Sequence, residues 1–315
     1  MSIHFTFETF IICLETLLIL TFNVLMLFVV GWTDAFKNIN KYFFTSVVFS
    51  DLLIGLVITP FAIFSSLYGK WVYKDETFCN TQAYLAAMCW IVSLYSMMWI
   101  NVDHYFAIRK PERHETLMSP VRSACWVALV WVAALSFCGP PLFALNERTY
   151  FVKATFLCVF ASQSNTAYFV TSGLLITLPA VLTLVATNAY LFTKAYNKTK
   201  LVCEKVLVDK AMRPQNYRVN ALNSLIFVVT WIPWCSVQIH QHVFPTPNLS
   251  PVMQRLHFYT LWVAIGNAWY KFIVYMIFSR EFMIGLRRFF CQVLCRCACK
   301  CRLPCRQGPP PPVPV

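Results

Sequence analysis

Residues 79–111 read CNTQAYLAAMCWIVSLYSMMWINVDHYFAIRKP. A cysteine opens the stretch, a long run of apolar or small residues follows, and Asp103-His104-Tyr105 precedes a basic exit. At 1.5 Å per residue, a helix from Cys79 to Ile108 is on the order of 45 Å long, enough to cross a bilayer with tilt. A disulfide-forming cysteine needs an oxidising face, and basic residues prefer the cytoplasm. This helix therefore sets the expected direction of the whole chain.

The 315 residues are 58% hydrophobic and only 12% charged. A soluble domain carries about twice that charge. Seven apolar segments, roughly 9–32, 42–68, 80–108, 123–145, 166–193, 219–243 and 256–278, are each long enough to span a membrane. No soluble domain and no repeat of 20–50 residues is left over. The first segment lacks a basic leader and contains Glu8 and Glu15, so it reads as a signal anchor rather than a cleaved peptide.

The net charge of +13 is not a nucleic-acid signal, because it is sorted by side. With the N-terminus outside, 20 of the 26 Lys and Arg residues fall on inner loops and tail, five on outer loops, and Lys271 within the last span. That asymmetry predicts N-out, C-in topology, with the lipid bilayer and its anionic inner leaflet as the partner of the charge. The expected organisation is an outer N-terminus (1–8), an all-α seven-helix membrane bundle (9–278), an amphipathic eighth helix (279–290) and a Cys- and Pro-rich cytoplasmic tail (291–315).

Within the spans, Asn23 and Asp51 are polar at depth, and an intramembrane carboxylate must face the bundle interior. Gly139-Pro140-Pro141 breaks the chain after the fourth span, and Pro179 predicts a kink in the fifth. Cys158 is the one loop cysteine facing Cys79 on the outer side; the pair reads as a disulfide, with two free thiols as the alternative. After the seventh span, SREFMIGLRRFF alternates apolar and basic residues at helical spacing, the pattern of an interfacial helix. Asn248-Leu249-Ser250 is a glycosylation sequon whose use the following Pro251 disfavours.

The order of these features resembles the rhodopsin-like, class A G-protein-coupled receptors over roughly residues 15–295. Asn23, Asp51 within SDLLIGLVITPF, the Cys79–Cys158 pair, Asp103-His104-Tyr105, Trp131, Pro179, Phe227 with Trp231-Ile232-Pro233, Tyr275 and Phe282 match that family's motifs in order. The flank of Asp51 and Trp71 are most similar to the amine-receptor branch. The resemblance implies a plasma-membrane receptor coupled to a heterotrimeric G protein. It implies activation and G-protein contacts at Asp103, His104, Tyr105, Pro179, Phe227 and Tyr275, and a pocket around Ala86, Trp90, Trp231, Trp234 and Gln238. Asn23, Asp51, Ser93 and Asn267 would form a polar core that in the family surrounds a sodium ion.

Three departures modify that expectation. Ala86 stands where the amine branch has its ammonium-binding aspartate, so a standard biogenic amine is not the expected ligand. Trp90, Trp231 and Trp234 suggest either a small or self-filled apolar pocket with ligand-independent signalling, or an ordinary aromatic pocket for an unknown apolar ligand. Lys271 replaces the family's asparagine, on one helix face with Asn267 and Tyr275. Its ammonium either replaces the sodium and pairs with Asp51 or snorkels to the inner interface. The opsin lysine position is Ile265 here, and Lys271 lies about 9 Å closer to the cytoplasm, which argues against a retinal photoreceptor. His104 replaces the family's arginine; histidine offers at most two donors against five, so the inactive latch and the G-protein contact should both be weak or pH-dependent. Arg213 falls near the usual acidic partner of that arginine.

Cys291, Cys295 and Cys297 follow the amphipathic helix among basic residues, where S-palmitoylation anchors a tail; a Cys-only zinc site is the alternative. Pro309 to Pro312 and the terminal Val313-Pro314-Val315 offer weak SH3/WW and PDZ signals. The spans contain no HExxH, GxSxG or paired catalytic carboxylates, so no enzyme, cofactor or metal is expected. A receptor with an unknown extracellular ligand or none is the leading reading. A non-coupling scaffold or heteromer partner is the alternative, and a transporter, lacking an inverted repeat, is the third.

Overall fold

The computed structural model describes residues 6–32, 40–73, 76–139, 149–160, 166–201, 214–244 and 250–294. Ten helices and one hairpin follow in order among the described residues: α1 (Phe7–Trp32), α2 (Lys41–Tyr68), α3 (Glu76–Arg109), α4 (Pro111–Leu117), α5 (Pro120–Cys138), β1 (Thr149–Val152), β2 (Leu157–Phe160), α6 (Thr166–Ser172, Gly173–Thr177 and Leu178–Leu201), α7 (Pro214–Val243), α8 (Pro251–Ile265), α9 (Asn267–Phe278) and α10 (Arg280–Leu294). Six helices are long and apolar enough to cross a membrane, and α8 with α9, bent by 47° at Gly266, forms a seventh.

Local chemistry sets the boundaries. Asn40, Ser119 and Ser250 accept from the backbone N–H of Tyr42, Arg122 and Met253, capping α2, α5 and α8. Pro120 and Pro251 follow their caps at the first helical position, where a missing N–H costs nothing. Gly69 ends α2 in the left-handed region at φ 64°, a conformation in which a Cβ would be strained.

Two of the interior prolines, Pro60 and Pro179, are absorbed as π-helical turns, while Pro233 sits inside α7. Ile54–Ile58 ends two residues before Pro60, and Gly173–Thr177 ends two residues before Pro179. A proline ring excludes the carbonyl four residues back, and one extra residue in the turn removes the clash. The kink expected at Pro179 is therefore a widened turn just before it.

Gly266 breaks the seventh span. Gly266 O accepts from the N–H groups of Trp269 and Tyr270 at 2.9 and 3.1 Å, and a Cβ there would lie 2.5 Å from the Tyr270 hydroxyl. Phe272 stacks on Phe22 of α1, ring centroids 4.4 Å apart, and meets Phe282 of α10 edge-on at 5.4 Å. Phe282 is fully buried, so α10 is packed onto the inner end of the bundle. It runs to Leu294, four residues past the expected end at 290, because RRFFCQVL continues the amphipathic pattern. The fourth span, expected over 123–145, ends as a helix at Cys138; residues 140–148 lie outside the described residues.

Candidate functional site

Three layers of functional side chains stack along α3. On the outer face, Cys79 and Cys158 form a disulfide with Cα atoms 5.4 Å apart. It ties β2 to the start of α3. Cys158 N–H also donates to Gln82 Oε1 at 3.0 Å, Gln82 Nε2 donates to the Ile58 carbonyl at 3.2 Å, and Trp262 Nε1 donates to the Thr155 carbonyl at 3.2 Å. The antiparallel hairpin is thus fastened across α2, α3 and α8 as a roof.

Beneath the roof lies a cavity of about 740 Å³, within the range of small-molecule sites. Ala86, Trp90, Trp231, Trp234 and Gln238 all line it, as the sequence leads one to expect. The indoles do not fill it. Trp90 and Trp231 lean on each other at 5.6 Å, Phe227 backs Trp231 at 6.1 Å, and Trp234 turns edge-on to His257 at 5.9 Å. The rings thus stand on the cavity wall, Trp90 and Trp231 against each other and Trp234 against His257.

Lys271 forms the cavity floor. Its Nζ donates to Asp51 Oδ2 in a salt bridge, with both side chains at most 5% exposed. Ser93 Oγ donates to the other carboxylate oxygen at 3.3 Å and lies 2.8 Å from Ser50 Oγ. Burying either charge alone costs several kcal/mol, so the pair satisfies both within the bundle. Asn23 and Asn267 are in the polar core without touching the pair. Asn23 Nδ2 donates to the carbonyls of Ile19 and Ala268, joining α1 to α9. Asn267 Nδ2 donates to Thr230 Oγ1 at 3.0 Å, joining α9 to α7. Asn267 is thus a helix-to-helix tie, because Lys271 reaches Asp51 first.

On the inner face Asp103 and His104 part company. Asp103 Oδ1 meets His114 Nε2 of α4 at 3.0 Å, a contact the sequence did not advertise. The hydrogen bond to Asp103 pushes the His114 imidazole above its ordinary range. His104 Nδ1 lies 2.7 Å from the Ile100 carbonyl, which can only accept, so Nδ1 carries the proton. Nε2 is then an acceptor, and Asn220 Nδ2 donates to it at 3.2 Å. Asn220 Oδ1 in turn accepts from the Tyr275 hydroxyl. A neutral chain, Tyr275 to Asn220 to His104, links α9, α7 and α3. Asn101 Nδ2 adds a bond to Ser224 Oγ at 2.6 Å, and Tyr105 packs against Tyr190 of α6 at 4.8 Å. Asn220 and His114 are the functional candidates that sequence reasoning missed. Cys291 lies in the last turns of α10; Cys295, Cys297 and Arg213 lie outside the described residues.

The chain is similar to known proteins in sequence and in fold. The family described as "7 transmembrane receptor (rhodopsin family)" matches residues 22–275. The human histamine H2 receptor is 26% identical over 292 residues, covering 90% of this chain and 79% of its own. The mouse G-protein coupled receptor 52 is 24% identical over 326 residues, covering 97% and 86%. Squid rhodopsin superposes with a TM-score of 0.77 at 16% identity, covering 92% of this chain and 86% of its own, a likeness of fold. The fold, the disulfide and the matched span together make this multi-pass plasma-membrane protein a member of the rhodopsin family of seven-transmembrane receptors.

Proposed function

We propose that this receptor signals through heterotrimeric G proteins, with its N-terminus outside and C-terminus in the cytoplasm. Its cavity takes an uncharged, largely apolar ligand. One observation carries the ligand class: Asp51 is the sole carboxylate on the described cavity wall, and Lys271 occupies it. The histamine H2 receptor is named for an ammonium ligand, and a desolvated ammonium needs a free carboxylate. With Ala86 at the amine-binding position, this chain offers none.

The same receptor has ligand-independent activity. The neutral bond from Asn220 to His104 replaces a charge-assisted latch, and neutral bonds are about half as strong. A second reading, a receptor-like partner that does not couple, rests on the same residue: both ring nitrogens of His104 are engaged within the bundle, so no donor remains for a G protein. In the tail, Cys291, Cys295 and Cys297 are the acylation sites, and the Pro-rich end is a docking segment for SH3, WW or PDZ domains.

A panel of G-protein dissociation assays on the unliganded protein tests these statements. Dissociation above mock-transfected cells, unchanged by histamine, supports the first reading. A saturable response to histamine or another small ammonium overturns the ligand class. Silence of the wild type with a response gained in His104→Arg selects the non-coupling reading.

A further inference from the structure

The hairpin covers part of the cavity. Leu157, Val159 and Phe160 form part of its roof, and the disulfide and Gln82 fasten that roof to α3. Between α6 and α7 the wall is different. Val170, Leu174 and Leu178 of α6 and Ile239 of α7 line the cavity and are 45%, 55%, 44% and 54% exposed. Leu178 lies about 18 Å along α6 from Thr166, a depth at which the surroundings are hydrocarbon. The π-helical turn Gly173–Thr177 sits in this segment, and a Cβ on Gly173 would meet nothing within 4 Å.

Two donors on side chains that line the cavity have no partner. The indole N–H groups of Trp90 and Trp231 are both buried, and neither has a hydrogen-bond acceptor. Their rings lean on each other with centroids 5.6 Å apart, and both line the same space. An indole can only donate, so its missing partner is an acceptor. The partner must be uncharged, because a net charge would be buried beside a Lys271–Asp51 pair that is already neutral.

We propose that the cavity receives from the bilayer, through the gap between α6 and α7, a long-chain apolar molecule bearing an uncharged carbonyl acceptor, toward which the Trp90 and Trp231 indoles turn their N–H groups. The proposal rests on the apolar-cavity reading above and adds the ligand's source and its polar group.

The test uses the full chain in lipid nanodiscs and a diazirine-bearing methyl ester of a long-chain fatty acid dissolved in the lipid. Photolabelling is mapped by mass spectrometry. Saturable labelling of the peptides that carry Trp90 and Cys235, displaced by the unlabelled ester, is expected. Plugging the gap with Leu174→Trp and Ile239→Trp should slow labelling about tenfold or more, a small change in barrier. Leu174→Phe and Ile239→Phe serve if the larger pair lowers surface expression or melting temperature. Trp231→Phe removes one donor and should weaken apparent affinity about two- to tenfold. Labelling confined to outward-facing residues overturns the proposal, and interior labelling at unchanged rate in the plugged variants overturns the bilayer route. A short-chain ester probe added from water separates the two levels. If it labels the cavity and the long-chain ester does not, the apolar cavity stands and this proposal falls; if neither labels it, both fall.

Discussion

Lys271→Met removes the ammonium and leaves the Asp51 carboxylate, 3% exposed, with Ser93 as its remaining donor. Breaking a buried pair by deleting one partner costs about 3–5 kcal/mol. For a chain of this size, each kcal/mol moves the melting temperature by roughly 2 °C. The expected loss is therefore on the order of 6–10 °C for Lys271→Met. Asp51→Asn leaves the ammonium buried instead and should cost a similar amount. The double variant removes both charges, keeps a hydrogen-bonding side chain for Ser93, and should return to within about 1 kcal/mol of wild type, since neutral replacement of a buried pair is often tolerated.

The assay is thermal unfolding of purified protein in matched detergent for all four species, read as a double-mutant cycle. A coupling of about 3 kcal/mol or more is the signature of the pair. Additive losses, with the double variant as unstable as the sum of the singles, would refute it and return Lys271 to the inner interface. Sodium supplies an independent arm. Lys271→Asn opens the space that the ammonium holds, so added sodium should raise the melting temperature of that variant and leave wild type unmoved. Equal sodium responses in both would contradict a tethered counter-ion at this site.

Three further outcomes follow from other parts of the bundle. Cys79→Ser releases the hairpin roof; loss of a disulfide in an exported domain costs about 2–5 kcal/mol, so surface expression measured by antibody labelling should fall several-fold. Because the His114 imidazole is raised by Asp103, the α3–α4 contact is fully present below the ordinary histidine value of 6.5 and is lost as pH rises through the raised one. Hydrogen exchange of residues 111–117 should therefore speed up as pH increases, after correction for intrinsic rates, and the pH response should flatten in His114→Gln. Gly55→Leu places a side chain where a Cβ alone already comes within 2.8 Å of Ile19 and 2.9 Å of Leu20. It should force α1 from α2 and cost about 1–3 kcal/mol, seen as a lower melting temperature.

What could be read from the residues, and what could not, divides by how many solutions each residue has. Asp51 and Lys271 are opposite charges at similar depth in apolar surroundings, and each has essentially one way to be buried, so the pair was legible across 220 positions of sequence. Cys79 and Cys158 were legible for the same reason: one oxidising face and one partner. Asn220 was not. An amide can satisfy itself with any carbonyl, hydroxyl or imidazole in reach, and only the rotation of α7 decides that it lies between His104 and Tyr275. Asn267 shows the converse: matched by family motif to the ion site, it is drawn to Thr230 once Lys271 has taken Asp51.

The bend of the seventh span and the openness of the cavity were hidden for a geometric reason. A lone glycine in an apolar run is a weak signal, and Gly266 breaks the helix because Tyr270 folds back over the space a Cβ would need. Counting three indoles gives their volume but not the distance between the helices that carry them. That distance is held by the hairpin roof, by the widened turn in α6 and by Trp90 and Trp231 leaning on each other. The unpartnered N–H groups on those two rings are thus a product of the same spacing that keeps the cavity open.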